Sequence, residues 1–161
     1  MHHLRFSKYD IKYRNELGHY LRDDWTSFWD IGKICEGRLL TIEEYERVEK
    51  NYLDALRDII QTIGISHITI AHIDWHEFTQ DDFAFTIKEG GSVSIDQALY
   101  LAKLTLRNQF WISLESSELK INFSSEMYAY VEFTIEPDII KNIISKHHLF
   151  WESREFWYFD D

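Results

Sequence analysis

The feature that most constrains this chain is a change of hydrophobic period at Gly64. Before it, Tyr45, Val48, Tyr52, Leu56, Ile59 and Ile63 recur every three or four residues, the spacing of one helix face. Thr41-Ile-Glu-Glu44 forms a capping box ahead of them, with two carboxylates in the first turn where the helix dipole favours them. Gly64 supplies a left-handed stop. The pattern predicts a long amphipathic helix over 42–63, with Glu46, Arg47, Lys50, Asn51, Asp54, Arg57 and Asp58 facing water. After Gly64 the period falls towards two. Ser66–Trp75 is β-branched and apolar, and Met127, Ala129, Val131, Phe133 and Ile135 alternate with Tyr128, Tyr130, Glu132 and Thr134.

The remaining elements follow from local signals. Phe83-Ala-Phe-Thr-Ile87 alternates and is expected to pair with 66–75 across the acidic loop 76–82. Ser94 caps a helix to about Asn108, and strands follow at 109–115 and 119–124. Pro137 suits the first position of a helix ending near His147, and Arg154–Phe159 reads as a closing strand. Residues 1–40 are glycine-punctuated, aromatic and expected to be irregular, apart from a short helix capped by Ser27. The fold class expected is α+β: a single domain over 1–161, with 41–63 a long helix and 66–161 a largely antiparallel sheet with two helices. That makes five to six strands packed with three main helices. One domain suits 161 residues.

Charge narrows the partners. Lys and Arg number 17 against 28 Asp and Glu, a net −11, while aromatic residues make up 16%. Residues 1–40 sum to +1, 41–89 to −7 and 90–161 to −5. Two stretches carry acids and no Lys or Arg: Asp58, Asp74, Glu77, Asp81 and Asp82 between Arg57 and Lys88, then Glu126, Glu132, Glu136 and Asp138 between Lys120 and Lys141. Such a surface repels nucleic acid and anionic membranes and favours basic partners. Cys35 is the one cysteine, no apolar run approaches the ~20 residues of a membrane span, and the N-terminus lacks an apolar leader core, so a cytoplasmic protein is expected.

Chemistry-bearing motifs are few. His72, Asp74 and His76 would share one face, about 7 Å apart in successive steps, if the strand ran on through Glu77. Two imidazoles and a carboxylate could hold zinc or iron, but no strong ligand from elsewhere in the chain is assigned, and a solvated strand end explains the same pattern. The chain has no nucleophile elbow and no phosphate loop. No catalytic residue, cofactor or resident metal is assigned. A recognition surface is better motivated. Tyr128, Tyr130 and Glu132 alternate outward, and Trp111 lies outward, opposite Phe110, Ile112 and Leu114. Together with Asp74, Glu77, Asp81 and Asp82 these make the candidate binding residues, because aromatics set among carboxylates suit a basic protein surface. A helix packed over the aromatic strand face would instead make those rings a second core layer.

The N-terminal third adds a resemblance. Lys8-Tyr-Asp10-Ile-Lys12-Tyr-Arg-Asn-Glu-Leu-Gly18, then Asp24-Trp-Thr-Ser27, Asp30-Ile-Gly-Lys33 and Leu40-Thr-Ile-Glu-Glu-Tyr45, resembles small bacterial proteins encoded beside polymorphic toxins. In particular it is similar to immunity proteins of contact-dependent growth inhibition systems, over about residues 8–56. The resemblance implies a cytoplasmic, non-catalytic inhibitor of a cognate toxin domain. Such toxins are frequently nucleases acting on transfer RNA, whose basic substrate groove an acidic inhibitor could fill. Two other readings of the residues stand beside it: a metal-dependent enzyme using His72, Asp74 and His76, and an acidic adaptor or homo-oligomer.

Overall fold

The computed structural model describes residues 1–156. Among these residues three α-helices pack on a seven-stranded sheet in which every neighbouring pair is antiparallel. The strands are β1 (His2–Ser7), β4 (His67–Asp74), β5 (Ser92–Ser94), β6 (Trp111–Glu115), β7 (Leu119–Ser124), β8 (Tyr128–Phe133) and β9 (Phe150–Glu152), in the spatial order β5-β4-β6-β7-β8-β1-β9. A small hairpin, β2 (Ile34–Cys35) and β3 (Arg38–Leu39), stands apart from it. The α+β single domain expected from the periodicity is what forms.

The helix α1 runs from Ile42 to Ile63. Thr41 Oγ1 accepts the Glu44 amide, and Gly64 closes the helix in the left-handed region at φ 90°. Tyr45, Tyr52, Leu56, Ile59 and Ile60 are fully buried along its inner face. The Tyr52 hydroxyl is satisfied twice, donating to the Met127 carbonyl and accepting from the Lys8 amide, each at 2.7 Å. One buried phenol thus ties α1 to both β1 and the turn before β8. The other helices, α2 (Ile95–Leu106) and α3 (Pro137–Lys146), start at Ser94 and Pro137 as the sequence predicts. Leu4, Phe6, Ile70, Ile112, Ile121, Val131 and Phe133 project from the sheet into the same core as the three helices.

Three expectations need correction. Residues 1–40 are not wholly irregular, because β1 lies inside the sheet between β8 and β9, with Arg5 opposite both Tyr130 and Glu152. Phe83–Ile87 is not a strand. The Gln80 side chain donates to the Phe85 carbonyl and accepts the Ile87 amide, which occupies the backbone groups a ladder would use. The freed rings Phe83 and Phe85 join Trp75, Phe78 and Phe110 in an aromatic cluster, and β5 takes the edge of β4 instead. The closing strand is Phe150–Glu152, not 154–159: residues 154–156 form no strand, and 157–159 lie outside the described residues.

Candidate functional site

Of the acids between Arg57 and Lys88, Asp58 lies on α1, while Asp74, Glu77, Asp81 and Asp82 follow one another where β4 ends. The strand β4 ends at Asp74, and the chain turns sharply at His76, which has a left-handed φ of 50°. Glu77 follows in this turn, and Asp81 and Asp82 sit on a single 3-10 turn whose N-cap, Thr79, gives its amide to Asp82 at 2.7 Å. Trp75, Phe78 and Phe83 anchor the loop from beneath, against the fully buried Phe110. The polar residues are therefore held outward by an apolar footing. Asp74 meets His76 at 4.0 Å, and Glu77, Asp81 and Asp82 are exposed with no ionic partner among the described residues. Their charge is uncompensated, which projects a negative field from this end of the molecule.

Trp111 borders the cluster. It pairs with Asp74 across the β4–β6 ladder, and its half-buried ring lies 6.3 Å from the His76 imidazole. Tyr128 sits on the same face and at the same end of the sheet, two strand spacings or roughly 10 Å away. Asp74 and Trp111 thus meet where the acidic loop leaves the sheet, with Tyr128 on their flank, and Glu77, Asp81 and Asp82 follow on the loop itself.

Tyr128 has structural partners of its own. Its hydroxyl accepts Arg14 Nη2 at 2.9 Å, its ring lies 4.2 Å beneath the Arg5 guanidinium, and the Tyr9 ring packs at 5.3 Å. Glu152 binds both arginines, at 2.9 Å to Arg5 Nε and 3.2 Å to Arg14 Nε. Burial works against the Arg5 charge, but hydrogen bonds to Glu152 and Tyr130 overcome it and hold the guanidinium above its ordinary range. No helix covers this face among the described residues. The irregular segment after β1 covers Tyr128, and Phe156 packs on Tyr130 at 5.0 Å. The aromatic strand face is neither a bare surface nor a helix-covered second core. Glu132 lies at the opposite end of β8, 3.7 Å from His3 and 3.6 Å from Lys120, so it stands apart from the acidic loop.

The expected strand face of His72, Asp74 and His76 forms only as far as Asp74, with His72 and Asp74 on the exposed side of β4. A bulge shifts the register between Ile70 and His72, the strand stops before His76, and His72 turns to Glu89 at 3.2 Å. Among the described residues no group of three or more His, Cys, Asp or Glu is placed to hold a metal ion. No described helix is long and apolar enough to cross a membrane. Comparisons with protein-family models, with curated proteins and with solved structures returned no match. Sequence reasoning missed the Arg5–Glu152–Arg14 network behind Tyr128. Its members are 147 residues apart at the extremes, and only the placement of β1 beside β9 brings them together.

Proposed function

We propose that this protein is an immunity protein, a non-catalytic inhibitor that binds a cognate toxin domain and blocks its active site or substrate groove. The toxin would be basic, foremost a nuclease. The observation that carries the reading is the exposed acidic loop at Glu77, Asp81 and Asp82, without ionic partners among the described residues, which leaves the sheet at Asp74 beside the half-exposed Trp111. A nuclease must hold phosphates in a cationic groove, so a carboxylate-rich projection can take their place while an aromatic side chain sheds water at the contact. The N-terminal resemblance points the same way. Trp111 and the loop acids are the contact residues on this reading, Tyr128 supports the edge of the surface, and Tyr130 and Glu132 lie outside its centre.

The test is co-expression with candidate toxin domains of polymorphic toxin systems. A stoichiometric complex that co-purifies, together with protection of cells from the toxin, is the expected result. Trp111→Ala should weaken the complex by about 2 kcal/mol while leaving the melting temperature within a few degrees of the parent. Full-strength binding by Trp111→Ala together with Asp81→Asn and Asp82→Asn would move the contact to another surface.

A further inference from the structure

After β9 the chain leaves the edge of the sheet and returns over its outer face. Ser153, Arg154 and Glu155 are exposed and form no strand, Glu155 reaches His3 of β1, and Phe156 packs on Tyr130 of β8 at 5.0 Å. Because β1 lies between β9 and β8, residues 153–156 cross β1 on their way to Tyr130. His3 stands in the middle of this crossing, and each nitrogen of its half-buried ring faces a carboxylate. Nδ1 lies 3.7 Å from Glu132 on β8, and Nε2 lies 3.7 Å from Glu155. Glu132 is the direct cross-strand partner of His3, so the first contact is built into the sheet. The second ties the returning segment to it. A neutral imidazole has one N–H, and the lone pair on its other nitrogen repels a carboxylate oxygen. Only the imidazolium offers a proton to both sides at once.

We propose that His3 is a proton-operated latch: protonated, it bridges Glu132 and Glu155 and holds residues 153–156 over Tyr130, and on losing its proton it loosens that cover. Other charges border it. Lys120 on β7 lies 3.6 Å from Glu132, Arg154 lines a small hollow together with His3 and Glu132, and Arg5, the next outward residue of β1, is bound by Glu152. Carboxylates, lysines and arginines keep their charge across the range in which an imidazole ordinarily titrates, so the imidazole alone changes the balance here. His2 points to the other face, where its ring lies 5.8 Å from that of Phe133. The imidazolium is the holding form, so the hold is complete below the imidazole range and is lost as pH rises through it. Both ion pairs are partly solvated, which confines the effect to this segment and leaves global stability nearly unchanged. The latch sits with Glu132 at the end of β8 remote from the acidic loop, and the inference is independent of the immunity reading.

Amide-exchange NMR of the full chain tests this between about pH 5.5 and about pH 7.5, a range that spans imidazole titration. Once the intrinsic chemical rate at each pH is divided out, protection of the Glu155 and Phe156 amides should fall about threefold as pH rises. The midpoint should coincide with the titration of the His3 ring protons, read in the same spectra. His3→Gln should abolish the pH dependence while leaving Met1 and His2 in place, and Glu155→Gln should abolish it while keeping the histidine. Protection that stays constant with pH in the unaltered chain overturns the inference, whether or not any variant folds. So does a midpoint that departs from the His3 titration, or a pH dependence that persists in either variant.

Discussion

Arg107 and Glu49 show how single residues hold this fold. Glu49 is buried at 3% exposure on α1, and Arg107 at the end of α2 reaches it through two bonds of 2.8 and 2.9 Å. The hydrogen bonds to Glu49 keep the guanidinium above its ordinary range despite burial. Removing one partner strands a charge, so Arg107→Ala should destabilise by about 3 kcal/mol in a urea titration. Replacing both, as Glu49→Met with Arg107→Met, should recover most of that loss. At Tyr128 the hydroxyl bonds a charged group, and Tyr128→Phe should cost about 1.5 kcal/mol of stability. On the proposed immunity function the same change should leave affinity for the toxin within about twofold, because that hydroxyl is taken up by Arg14.

At the scale of elements, legibility followed the range of the interactions. The helix α1 was readable to the residue because its cap, stripe and stop are all local. The strand β8 was readable because Ala129, Val131 and Phe133 are buried and their neighbours are not. The strand β1 offers only Leu4 and Phe6 as apolar alternates, and its partners lie more than a hundred residues away. Phe83–Ile87 alternates like a strand, yet a glutamine side chain intercepts its backbone. The tie between α1 and α3 makes a further prediction. Lys146 and His147 bond Asp58 at 3.0 and 3.2 Å, and these bonds hold its carboxyl below the ordinary range. In the unfolded chain the group titrates near about 3.9, so the tie contributes fully above that value and is lost as pH falls through the lower folded value. Asp58→Asn should lower stability at neutral pH by about 1 kcal/mol or less, and the gap between thermal melts of variant and parent should begin to close only below about pH 4 and vanish below the folded value.

For the whole molecule, the charge asymmetry organises the surface. The familiar N-terminal motifs occupy the +1 segment of 1–40 and the start of α1, whereas the unpaired acids gather at the far end of β4. The site was therefore legible as a charge run, while its shape was not: the aromatic footing under the loop depends on Phe110 meeting Phe78 and Phe83. A molecule built this way should capture a basic toxin by long-range attraction before close contacts form. The decisive measurement for the proposed function is the association rate with a toxin domain that the protein neutralises, as ionic strength rises, for the parent and for Glu77→Gln/Asp81→Asn/Asp82→Asn. The account predicts a parent rate that falls at least about tenfold between low and high salt, and a variant that is slower at low salt with a flatter dependence. A parent rate independent of salt, or a variant indistinguishable from it, would contradict the account.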